Sequence, residues 1–69
     1  MQALSTAKSG KYTIKWMFGN QSVMEFLHQH DFWEGNPIEV IQQNHDWMIV
    51  GNDECRLAIG SDVAARIQV

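Results

Sequence analysis

The segment KYTIKWMF, residues 11–18, sets Tyr12, Ile14, Trp16 and Phe18 in alternation with Thr13, Lys15 and Met17. A period of two marks a strand with one apolar face, here a mostly aromatic one. That face demands burial and the strand's backbone edges demand pairing, so the rest of the chain must supply partners. It does so in the second half. PIEVIQQ (37–43) alternates Ile38 and Val40 against Glu39 and Ile41, with Pro37 at the first residue, where a strand tolerates it. DWMIV (46–50) follows the polar turn at Asn44–His45, and GNDE (51–54) is a tight hairpin signal. CRLAI (55–59) puts Cys55, Leu57 and Ile59 on one face and Arg56 and Ala58 on the other. Gly60 breaks that strand, Ser61 or Asp62 caps a single turn through VAAR, and IQV (67–69) closes as a last strand.

One helix interrupts the strands. Ser22 followed by Glu25 reads as a capping box, and Val23, Phe26, Leu27 and His30 fall at the spacing of one helical face. Met24 and His28, four residues apart, share the opposite face. Two turns of helix do not persist alone in water, so Val23, Phe26 and Leu27 are expected to face inward and dock on the strands. WEGN (33–36) is then a turn, with Gly35 at the position requiring positive φ. The expected order is strand, helix, three strands, short turn and strand. Five short strands can close as a small barrel that hides its edges. Its core is expected to hold Ile14, Trp16, Leu27, Ile38, Val40, Ile49, Leu57, Ile59 and Ile67.

Composition narrows the function. A chain of 69 residues makes one domain, 1–69, with a thin core. Its one cysteine forms no internal disulfide, which suits a reducing, cytoplasmic setting. No apolar run is long enough to span a bilayer, and MQALSTAKSGK lacks the apolar stretch of a signal peptide. The net charge is -3 and the five basic residues are scattered, which argues against nucleic acid and anionic membrane surfaces as partners.

FLHQHDFWEG (26–35) concentrates His28, His30, Asp31 and Glu34. On a helix, residues two apart point about 200° apart, so His28 and His30 cannot grip one ion while helical. Ligand pairs need i and i+3 or i+4 spacing. His28 with Asp31 and His30 with Glu34 have it, but only where the helix is ending. The simpler role is structural: polar groups tie up the last carbonyls and a cationic histidine suits the C-terminal dipole. His28, His30, Asp31 and, in its polar turn, His45 remain the weak metal candidates. Loose binding of Fe2+ or another divalent transition metal to them is compatible with the sequence, and no cofactor is required. Cys55 alternates with aliphatics and is expected to be an inert, buried thiol. No nucleophile sits with a base and the glycines are not clustered, so no catalytic residue is assigned and an enzyme is not expected.

The chain resembles the FeoA family, small cytosolic companions of the FeoB ferrous-iron permease. LSTAKSGKYTIKWMFGN is similar to the family opening, a Leu-Ser, a glycine, a strand and a glycine before the helix. FLHQHDFWEGNPIEVI resembles its helix, turn, glycine and valine-rich strand. RLAIGSDVAARIQV resembles its closing stretch. The resemblance implies a mainly β, five-stranded SH3-like barrel with one inserted helix and a short 3-10 turn before the last strand. The DNA-binding and metal-binding parts of DtxR-type repressors, which end in a similar domain, have no counterpart. Two positions depart from the pattern. Asp31 stands where the family has glycine, and is expected at positive φ. His30 stands where it has leucine.

The resemblance also implies a function: an accessory or regulatory protein of ferrous-iron uptake that binds the cytosolic domain of a FeoB-type permease. A metal-binding domain that senses or delivers iron is the alternative, with a general protein-interaction module third. For Trp33 and Trp47, core and interface stay equally open. The contact surface is expected on Met24, His28 and Trp33, an apolar strip with a polar rim.

Overall fold

The computed structural model describes Met1–Val69 in full. A 3-10 turn at Leu4–Thr6 precedes β1 (Gly10–Thr13) and β2 (Trp16–Met17). Helix α1 (Gln21–Gln29) leads to β3 (Pro37–Gln43), β4 (Trp47–Gly51), β5 (Arg56–Gly60), the one-turn helix α2 (Ser61–Ala64) and β6 (Ile67–Gln68). The pairing is antiparallel and divides into a four-stranded sheet ordered β1-β3-β4-β5 and a two-stranded sheet β2-β6. The segment before the last strand is therefore α-helical, and the 3-10 turn lies at the N-terminus instead.

The first expected strand is divided because the chain changes sheets within it. Ile14 donates to and accepts from the Asn36 and Gly35 backbones beside β3, whereas Lys15 already donates to Gln68 of β6. The crossing shifts the alternation by one residue. Ile14 and Met17 are buried, and Trp16, expected inside, is 51% exposed.

A second difference lies in β4, where Met48 and Val50 point inward and Ile49 is only half-buried. The cause is hairpin register. The two-residue loop Asp53–Glu54 pairs Asn52 with Cys55, so Val50 faces Leu57 and Met48 faces Ile59. Residues opposed across a ladder share a face of the sheet, so Met48 and Val50 go with Ile59. Leu57 itself, near the strand's start, is half-exposed.

The core gathers Leu4, Ile14, Met17, Leu27, Phe32, Ile38, Val40, Met48, Val50, Ile59, Ile67 and Val69 with two alanines. Of the residues expected there, Ile14, Leu27, Ile38, Val40, Ile59 and Ile67 are in place. Phe32, unexpected, is completely buried and is among the largest fully buried side chains.

Helix α1 starts two residues earlier than the Ser22–Glu25 pattern suggests. Asn20 is the N-cap, its Oδ1 accepting from the Val23 amide at 2.9 Å. Glu25 instead accepts from Gln21 Nε2, one turn back. The helix ends in a Schellman motif: the Phe32 amide donates to Leu27 O and the Asp31 amide to His28 O. Asp31 carries the required left-handed conformation, φ 65°. Leu27 and Phe32, the residues this motif brings together, are both buried, and that contact docks the end of the helix. Phe26, expected to face inward, is 43% exposed.

Candidate interaction surface

The Schellman turn decides where the next side chain goes. With Phe32 driven into the core, Trp33 emerges on the opposite side and folds back over the helix. Its indole lies on the His28 imidazole with ring centroids 3.6 Å apart and planes 2° from parallel. Trp33 remains 47% exposed, while His28 is half-buried. Met24, one turn earlier, is also half-buried and packs against the core. The structure thus joins His28 and Trp33 directly, and Met24 lies at the inner margin of the strip rather than fully outward.

His30 does something different. Its Nδ1 lies 2.8 Å from Phe26 O, which requires the proton on Nδ1, and its ring tilts against Phe26 at 4.7 Å. Its own carbonyl accepts from Asn52 Nδ2 at 2.8 Å and lies 3.6 Å from Cys55 Sγ. Asn52 also accepts the Glu54 and Cys55 amides, so one side chain shapes the β4–β5 turn and pins the helix end to it. Cys55 is a half-buried free thiol at this junction rather than a fully buried one. Asp31 is exposed beside a polar hollow of ≈ 230 Å³ shared with Asn52, Asp53 and Glu54. His45 is exposed in the β3–β4 turn, where its carbonyl accepts from Ser61 Oγ. The four weak metal candidates therefore do not converge. No three His, Cys, Asp or Glu side chains group so as to hold a metal ion.

Two further aromatic features depart from the expected burial. Trp16 and Phe18 form an exposed tilted pair with centroids 4.9 Å apart. Phe26 borders an apolar groove of ≈ 270 Å³ between α1 and the β5–α2 segment, which also involves Val23, Ala58, Ile59 and Val63. The signal for the first was the sheet crossing at Ile14–Lys15, which KYTIKWMF does not announce. No helix is long and apolar enough to cross a membrane.

The family model described as the FeoA domain matches residues 2–69. The structure superposes on a crystal structure described as an iron uptake regulatory protein (FeoA), with TM-score 0.82 and 24% identity, covering 94% of this chain and 89% of that one. It also matches ScaR with bound Cd2+ (TM-score 0.83, 17% identity, 97% of this chain and 33% of that one). The manganese regulator SloR gives TM-score 0.76 at 21% identity, over 96% of this chain and 32% of that one. The chain thus spans about a third of those metal regulators, and the likeness is one of fold, the mainly β SH3-like fold. No curated protein sequence matches. The family match extends over nearly the whole chain, from the 3-10 turn through the Schellman turn to β6, and the chain belongs to the FeoA family.

Proposed function

We propose that this chain serves ferrous-iron uptake as a non-enzymatic cytoplasmic partner of a FeoB-type permease, docking on the permease's cytosolic domain. Family membership and the likeness to an iron uptake regulatory protein support the iron-uptake role. The observation that carries the docking surface is Trp33, about half exposed yet held flat by His28. An exposed indole that is already ordered loses little side-chain freedom on binding, and Trp is among the residue types enriched at the energetic centres of interfaces. Met24 and the His28 edge flank it, giving an apolar centre with a polar margin. The action this reading assigns to the chain is binding rather than turnover, in keeping with its family membership. A pull-down of the permease's cytosolic domain on the immobilised chain tests this. Retention by the wild type and its loss with Trp33→Ala is expected; no retention by the wild type refutes the partner, and equal retention by both refutes the surface.

A further inference from the structure

The two edges of the four-stranded sheet are unlike. At β1 the outward-directed backbone belongs to Lys11 and Thr13, with Lys8 and Lys15 close in sequence on either side. Lysines along an edge discourage another strand from adding to it. At β5 the bonded rungs are fixed by two hydrogen bonds, Asn52 N to Cys55 O and Ser61 N to Asp46 O. Alternation along an antiparallel ladder then puts Leu57 and Ile59 on the bonded rungs with Val50 and Met48. The N–H and C=O groups of Arg56 and Ala58 consequently point away from β4. No other strand pairs with that side, and both residues are exposed. This edge carries no lysine, no proline and no bulge.

Beside the edge lies the apolar groove of ≈ 270 Å³, with Ile59 and Ala58 on one wall and Val23 and Phe26 on the other. Next along β5 is Leu57, half-exposed although its phase is that of the core. An unpaired edge, an unfilled apolar groove and a part-exposed leucine on the same strand call for one explanation.

We infer that β5 pairs antiparallel with β5 of a second copy of this chain, about a two-fold axis at Ala58. The strand is complementary to itself in this register. Ala58 faces Ala58 of the second copy on a bonded rung, Arg56 faces Gly60, and Leu57 faces Ile59. All five residues of β5 are paired. Centring the axis on Arg56 instead would oppose two guanidinium groups, which is unfavourable. At the Ala58 axis each Arg56 meets an uncharged glycine and stands near Asp62 of the other copy. Each Leu57 lies across from Ile59, at the mouth of the other copy's groove, so the apolar contact is made twice, as an isologous interface requires. Small residues at the axis let the two backbones approach to strand-pairing distance. The Met24, His28 and Trp33 strip lies on another face of α1 and stays free.

Sedimentation equilibrium of the full chain, from micromolar to millimolar, reads the association. Amide hydrogen exchange at low and high concentration locates it. The expected result is a monomer–dimer equilibrium in which the Arg56 and Ala58 amides are slowed only at high concentration. Ala58→Lys sets two added charges against each other across the axis and should weaken association by at least about tenfold with its melting temperature unchanged. Ala58→Ser, which adds a single hydroxyl and no charge, should associate like the wild type. A chain that stays monomeric throughout overturns the inference. So does a dimer that Ala58→Lys leaves intact, or one whose protected amides lie elsewhere. Protection of Arg56 and Ala58 that appears only when the permease's cytosolic domain is added also overturns it, because the edge then receives a different strand.

Discussion

The imidazole of His28 and the indole of Trp33 lie parallel at 3.6 Å, although a helix end and a left-handed residue separate them in sequence. The stack depends on the Schellman turn: Asp31 reverses the chain, Phe32 enters the core, and Trp33 is returned over the last turn of α1. Fold and candidate surface are therefore joined at one short segment.

His28→Ala should leave the fold in place but release the indole. A stacked aromatic pair contributes about 0.5–1.5 kcal/mol beyond its buried area, so the stability loss is small. The near-ultraviolet circular dichroism of Trp33, read in a Trp16→Phe, Trp47→Phe background, should fall sharply. His28→Phe should restore it. An unchanged Trp33 signal in His28→Ala would show that the stack does not order the indole.

Asp31→Gly should stabilise the protein by a few tenths to ~1 kcal/mol, because glycine occupies the left-handed region without a Cβ penalty. The Asp31 carbonyl that accepts from Asn36 Nδ2 is kept by the substitution. Urea denaturation measures the effect, and a loss of stability would mean that the Asp31 carboxylate contributes more than its backbone strain costs.

Much of this was legible in the sequence, and the failures have specific causes. Asp31 at positive φ followed from a glycine position occupied by an aspartate. Ile38, Val40 and Ile59 followed from alternation. Trp16 was misplaced because KYTIKWMF carries apolar side chains in both phases near its end, so a one-residue shift at the sheet crossing leaves no trace in the pattern. WMIV in β4 is apolar in both phases as well. There the answer was present but non-local: the two-residue loop at Asp53–Glu54 ties Met48 to Ile59 and Val50 to Leu57. The importance of Phe32 was hidden because a phenylalanine just past a helix end looks like part of a turn until the capping geometry is known. The His28–Trp33 stack was only partly visible, since spacing placed the two residues near each other and said nothing of ring contact.

Phe32→Ala should be severely destabilising. Removing a fully buried phenylalanine costs about 3–5 kcal/mol, a large share of the roughly 5–15 kcal/mol that holds an ordinary domain together. Loss of a cooperative thermal transition near that of the wild type is the expected observation. A shift of only a few degrees would show that the core closes over the gap.

Asn52→Ala should cost about 1–3 kcal/mol, since it removes the bond to His30 O and both bonds that shape the β4–β5 turn. Hydrogen exchange should show the loss concentrated at the end of α1 and at residues 53–55. Uniform acceleration across the chain would contradict the view that Asn52 is a local clasp between helix and hairpin.

Binding to a FeoB-type permease through the Trp33 surface is the central proposal. Titration of the permease's purified cytosolic domain with wild-type chain and with Trp33→Ala, alongside their melting temperatures, tests it most directly. Loss of a central aromatic anchor commonly costs about 2 kcal/mol or more, so affinity should fall by more than about tenfold while the melting temperature barely moves. No saturable binding by the wild type, or equal affinity in both proteins, would contradict the account.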